Sequence, residues 1–201
     1  IYPKGAQVAH QLRRLLGDSL FWAGMQRFLT VNAYKPVRTE NFAVAFEQVA
    51  NRDLDWFFDQ WVYGIGYPKV SVSRHWDAAA RQLHVTVAQT QKIDSTHPLF
   101  RFPVTIRMIT ADSVVRREIM VTKQTETFTL PVSQEPLSFR FDEGAWLLGT
   151  VTTDQTPAEL AAMAKHDLEY GARHWALRAL AGGTAAVADS ARRFILLNER
   201  E

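Results

Sequence analysis

Apolar positions recur first at helical spacing, then in alternation, then at helical spacing again. Val8, Leu12, Leu15 and Leu16 fall at i, i+4, i+7 and i+8, the stripe of an amphipathic helix that Gly17 stops. Phe21, Met25, Phe28 and Leu29 repeat that spacing behind Asp18, which is placed to cap the second helix. A third helix opens at Thr39 and lines Phe42, Ala45, Phe46 and Val49 along one side. Asp53 caps the aromatic run from Leu54 to Tyr63, whose Leu54, Phe57, Phe58 and Trp61 form one apolar face ended by Gly64-Ile65-Gly66-Tyr67-Pro68. Residues 1–66 thus predict a bundle of short helices.

From Pro68 to about Val151 the period changes from 3.6 to 2. Val70 and Val72 alternate with Ser71 and Ser73, and Leu83, Val85 and Val87 alternate with His84 and Thr86. Val104, Ile106 and Met108 begin another strand, as do Ile119 and Val121; Phe128, Leu130 and Val132 follow, then Leu137, Phe139 and Phe141. Short strands separated by polar turns such as Asp77-Ala78 and Asp112-Ser113 predict a small antiparallel β-sandwich over 67–152, each strand with one buried and one wet face.

The remainder, 153–201, returns to helix. Thr156, Pro157 and Glu159 stand as N-cap, first and third helical positions of a capping box. Leu168, Ala172, Trp175, Ala176, Ala179 and Leu180 mark a helix stopped by Gly182-Gly183, and Val187, Ala191, Phe194 and Ile195 mark another. Paired helices with small residues on the packing side predict the opening of a HEAT-like array, which needs about three repeats to bury a core. The fold class is therefore α+β, in three segments.

Composition narrows the function only by exclusion. The 23 basic and 21 acidic residues leave a net charge of +2, with the basic residues dispersed, so no nucleic-acid footprint is present. No run approaches the ~20 apolar residues of a membrane span. The chain has no cysteine, which excludes disulfides and thiolate metal sites and leaves the compartment open between cytoplasm and periplasm or secretion.

Few residues point to chemistry. The histidines are 10, 75, 84, 97, 166 and 174, and no His-Glu-x-x-His occurs. His166 and Glu169, three apart, would share a helical face, a pairing more often a solvated surface than a ligand set. His84 belongs to the wet face of a strand. Asp55 and Asp59 read as a solvated stripe rather than a cation site, and the aromatics from Trp56 to Tyr63 as a seal between bundle and sheets. Trp76, Trp146 and Trp175 read first as packing, and Trp22 is left open. No phosphate loop or nucleophile elbow is present. That leaves Tyr2, which stands with Pro3 and Gly5 on a stiff corner before a helix, where a hydroxyl can face a cleft.

The segment Tyr2-Pro3-Lys4-Gly5-Ala6, followed by Leu12-Arg13 and Leu16-Gly17-Asp18, resembles the Tyr-x-Lys-Gly-Ala region of the zinc aminopeptidases related to aminopeptidase N and leukotriene hydrolase. The resemblance continues in order through Thr39-Glu40-Asn41-Phe42, Asp53-Leu54-Asp55-Trp56-Phe57-Phe58-Asp59-Gln60-Trp61 and Gly66-Tyr67-Pro68. A weaker likeness extends through Phe141-Asp142-Glu143-Gly144-Ala145-Trp146-Leu147-Leu148. Pro3 departs from the glutamate frequent in that family.

The resemblance implies the last helices of a thermolysin-like catalytic domain at 1–66, then the β-sandwich and the start of the helical array. It implies Tyr2 as the donor to the oxyanion formed when a peptide carbonyl is attacked. It implies zinc in an intact parent, with its ligands outside this chain and none bound by it, and peptides as substrates. On this reading the chain is a C-terminal piece, inactive alone. A non-catalytic scaffold with the peptidase fold, and a free-standing interaction module, are the alternatives.

Overall fold

The computed structural model describes residues 2–94, 97–167, 169–181, 189 and 193, with Tyr2 described by its backbone alone. Helix α1 (Tyr2–Leu16) already includes Tyr2, so Pro3, Lys4 and Gly5 lie in its first turn rather than on a corner before it. Proline is compatible there because the first N–H groups of a helix have no intrahelical acceptor. Val8, Leu12 and Leu16 are buried as the spacing predicts. Helix α2 (Asp18–Val31) is capped by Gly17 at φ 78°, not by Asp18. The Asp18 carboxylate is taken by Arg13, whose Nε and Nη2 each donate to it at 2.7 Å. Phe21 is buried, whereas Leu29 is exposed.

Helix α3 (Thr39–Ala50) crosses α2 where Gly24 faces Phe46; a Cβ at Gly24 would stand 2.5 Å from the ring. The aromatic run is not one α-helix. It forms α4 (Asp55–Phe58) and then a π-helical turn (Asp59–Tyr63). The N-cap of α4 is Leu54 rather than Asp53, which stands one residue earlier with its Oδ1 accepting from Asp55 N at 2.7 Å. Leu54, Phe57, Phe58 and Trp61 are all buried, as their spacing predicts. The π turn also carries Gln60 inward.

Among the described residues seven strands follow: β1 (Lys69–Asp77), β2 (Gln82–Gln89), β3 (Phe102–Ile109), β4 (Val114–Val121), β5 (Thr125–Pro131), β6 (Ser138–Phe141) and β7 (Thr150–Thr153). They form two sheets, ordered β5-β2-β1-β7 and β4-β3-β6. Every pairing is antiparallel except β1 with β7, where Val70 aligns with Val151 in parallel. This departs from the all-antiparallel expectation. The chain passes through the second sheet before returning beside β1, the long connection that parallel neighbours require. Leu137, expected within a strand, is exposed just before β6.

Alternation holds well in β2, where Leu83, Val85 and Val87 are buried. It fails at Arg107 of β3, which should be wet but is 4% exposed. The connection that follows α5 (Pro157–His166) covers it: Arg107 pairs with Asp167, with Glu169 at 3.3 Å and with Glu143 at 3.7 Å. The capping box of α5 forms as predicted, Thr156 Oγ1 accepting from Glu159 N at 3.2 Å and Glu159 Oε2 accepting from Thr156 N at 2.7 Å. Helix α6 (Tyr170–Leu180) packs on α5 through Leu160, Met163, Ala164, Ala172 and Ala176, an apolar cluster of its own. Val187, Ala191, Phe194 and Ile195, expected on a further helix, and Leu168 lie outside the described residues.

The main core runs without interruption from the helices into both sheets, joining Phe46 and Trp61 to Phe100, Val85, Ile106 and Phe139. Two buried glutamines tie the strand entry into it. Gln60 donates to Arg101 O at 2.5 Å and accepts from Arg101 N at 2.9 Å. Gln89 does the same for Phe100, at 2.7 and 3.0 Å.

Candidate functional site

Tyr2 heads α1, and its side chain lies outside the described residues. Beside the first turns of α1 runs a cleft of about 380 Å³ between Lys4, Gly5, Val8 and Leu12 on one side and Phe42 and Trp61 on the other. Its volume suits a small ligand or one side chain, and its walls are mostly apolar. The apolar stripe of α1 and the aromatics of α3 and the π turn build it, because each turns its large residues toward the same interior.

A second face of α1 rests on the sheets. Gln7 Nε2 donates to Trp146 O at 3.1 Å, and the His10 ring stacks on Trp146 at 4.0 Å and 13°. Gln11 Oε1 accepts from Leu148 N at 3.3 Å, and Arg14 Nη2 donates to Thr105 Oγ1 at 2.6 Å and to Glu118 at 2.7 Å. Positions 7, 10, 11 and 14 are neighbours on one helical stripe.

The loop that meets them is held from within. Asp142, buried, accepts from Trp146 N and Leu147 N at 3.1 Å each. Burial pushes its carboxyl up, against the backbone donors and the charge of Arg140. Asp142, Gly144 and Ala145 adopt φ of 59°, 88° and 51°, and the Trp146 indole occupies the space a Cβ on Gly144 would need, 2.3 Å away.

The other candidates separate. His166 ends α5 and Glu169 precedes α6, so the two do not share a helical face; α5 ends at the C-cap Asp167 and Glu169 pairs with Arg107. His84 lies half-buried across from Thr129, its Nδ1 3.1 Å from the hydroxyl. Asp55 and Asp59 are exposed. Trp56 carries Arg101 over its ring at 4.6 Å, and Trp146 and Trp175 pack against His10 and, at 4.5 Å, Arg140. Trp22 is 56% exposed, under Arg13.

Among the described residues, the group with metal-ligand proximity is Glu47, Asp53 and Asp55. Glu47 accepts from Leu54 N at 2.9 Å and Asp53 from Asp55 N, so both are already engaged by backbone donors at the start of α4. The charges of Asp53 and then Glu47 push the Asp55 carboxyl up. Catalytic zinc is held by ligand sets that include histidine nitrogen, and this all-carboxylate set does not fit it.

Gln7, Gln11 and the Trp146 loop were not legible as part of the site. Polar residues on a helix read as solvent-facing, and only the block Phe141 to Leu148 offered a signal.

Residues 1–61 match the peptidase family M1 domain. The chain is 34% identical over 90 residues to aminopeptidase N of Haemophilus influenzae, covering 45% of this chain and 10% of that protein. It is 32% identical over 71 residues to aminopeptidase N of Lactococcus lactis, covering 35% of this chain and 8% of that one. It is 21% identical over 168 residues to aminopeptidase 2 of Candida albicans, covering 84% and 18%. Its fold is similar to that of Legionella pneumophila aminopeptidase A, solved in complex with aspartic acid, with a TM-score of 0.81 at 13% identity, covering 98% of this chain and 24% of that one. The chain therefore spans a small part of the length of each relative. Among the described residues, no helix is long and apolar enough to cross a membrane.

Proposed function

We propose that this chain, whose residues 1–61 match the peptidase family M1 domain, is part of a zinc-dependent aminopeptidase that removes N-terminal residues from peptides. In this reading residues 1–66 are the last helices of the catalytic domain, 67–152 a β-sandwich domain and 153–201 the start of a HEAT-like domain. The observation that carries it is the Tyr2-Pro3-Lys4-Gly5-Ala6 segment at the head of α1, where the family match begins.

Tyr2 then acts as a hydrogen-bond donor. A phenol with an ordinary pKa of about 10 stays protonated at neutral pH and can donate to the oxygen on which charge develops as a peptide carbonyl is attacked. Removing one such donor costs on the order of 10²–10³ in turnover. The metal lies outside this account because the residues described do not fit it. The chain alone neither binds catalytic zinc nor cleaves peptide.

Two measurements test the reading. Tyr2→Phe in the intact protein, assayed on a chromogenic aminoacyl substrate, lowers turnover on that scale with metal content unchanged; turnover near wild type overturns the role. Stoichiometric zinc together with peptidase activity in the 201-residue chain contradicts its dependence on further sequence.

A further inference from the structure

We propose that Trp146 is a positioning residue for Tyr2: the loop from Asp142 to Leu148 sets the tilt of α1 and thereby the place of the tyrosine hydroxyl. This rests on the reading that Tyr2 donates to the oxyanion.

Among the described residues, helix α1 meets the sheets at 7, 10, 11 and 14. Residues 3–6 are exposed, so among the described residues the first fixed point behind Tyr2 on this face is the Gln7 and His10 pair on Trp146. His10 lies eight residues beyond Tyr2, about 12 Å along the axis at 1.5 Å per residue. A tilt of about 5° about that point moves the head of the helix by about 1 Å, a displacement that can cost on the order of 10²-fold in rate.

The contacts differ in how well they resist such a tilt. Arg14 reaches Thr105 and the exposed Glu118 through the end of a long side chain, which can follow a moving helix. Gln7 and Gln11 each offer one hydrogen bond. The His10–Trp146 stack is a broad, nearly parallel contact, 13° between planes, and resists tilt across its area.

Trp146 is itself held. Asp142 receives two backbone N–H groups around it, and the bare backbone of Gly144 lets the indole lie flat. Glu143 N donates to Thr105 O at 3.0 Å, which pins the loop to β3, the strand that also receives Arg14. The sheets thus reach α1 through a preformed surface.

The experiment is a double-mutant cycle in the intact protein, reading kcat and KM on a chromogenic aminoacyl substrate. Trp146→Ala lowers kcat by about tenfold or more while KM changes by less than about twofold, and Trp146→Phe, which keeps a ring against His10, recovers most of the loss. In Tyr2→Phe the further change Trp146→Ala has almost no effect on kcat, because there is no hydroxyl left to misplace. An equal loss in both backgrounds, or no loss in either, overturns the positioning role. His10→Ala serves as the second arm if Trp146→Ala does not fold, and the same outcomes decide. If Tyr2→Phe alone is near wild type, the oxyanion role falls and takes this inference with it. If Tyr2→Phe is slow but neither Trp146→Ala nor His10→Ala is, only the inference falls.

Discussion

Replacing Gln89 removes both partners of the Phe100 backbone at once. Gln89 is 2% exposed and Phe100 1% exposed, so the freed N–H and C=O have no solvent to turn to. A buried polar group left unsatisfied costs about 1–3 kcal/mol, and two of them about 2–6 kcal/mol. That is a large part of the roughly 5–15 kcal/mol by which domains are stable. Gln89→Ala opens space in which a water can bridge the orphaned groups, so its loss falls toward the lower end. Gln89→Met is the stricter test, since it keeps most of the volume and offers no donor. Urea unfolding followed by circular dichroism measures both. The midpoint of Gln89→Met is expected to fall by about 1 M or more with the slope unchanged, taking about 2 kcal/mol per molar as the slope. A Met variant within about 0.5 kcal/mol of wild type would show that the amide contributes nothing and refute the clamp; that bound is the ordinary scatter of neutral substitutions.

Gly24→Ala gains about 1 kcal/mol of helix propensity but drives a methyl to 2.5 Å from the buried Phe46 ring, an overpacking that costs about 1–3 kcal/mol, so the variant melts lower. Gly5→Ala meets nothing within 4 Å and raises stability by about 0.5–1 kcal/mol, an opposite sign that thermal unfolding distinguishes. Burial pushes the Glu159 carboxyl up, and the Thr156 backbone N–H and the charge of Arg74 outweigh it, so its pKa lies below the ordinary carboxylate value. A carboxyl lowered on folding stabilises above its unfolded value and loses that contribution as pH falls through its folded one. The amides at the start of α5 are therefore expected to be less protected in acid, relative to their intrinsic exchange rate at that pH, and a Glu159 pKa found above the ordinary value by NMR titration would contradict this.

The helices and most strands were legible because one face of each is buried and the other wet. Val8, Leu12 and Leu16, or Leu83, Val85 and Val87, state that division directly. What the pattern misjudged was decided by partners distant in sequence. Arg107 sits at a wet position of β3 and is buried only because the chain returns sixty residues later with Asp167. β7 has no apolar alternation and forms because β1 lies open beside it. Asp18 suits an N-cap by type, yet Gly17 reaches the cap conformation and Arg13 claims the carboxylate. At the candidate site, Tyr2 was visible through its flanking motif, while the seat of its helix depends on Trp146, 136 residues beyond His10.

The two helices α5 and α6 bury an apolar cluster separate from the main core, and charges bridge the gap: Arg74 to Asp154 and Glu159, Arg107 to Asp167 and Glu169. Exposing apolar surface raises heat capacity and exposing polar surface lowers it. Parting at this seam therefore leaves a much fainter calorimetric trace than melting the core. Salt reaches only the more open part of the seam, Arg74 with Asp154 and Glu159, and leaves the buried pair of Arg107 with Asp167 nearly unscreened.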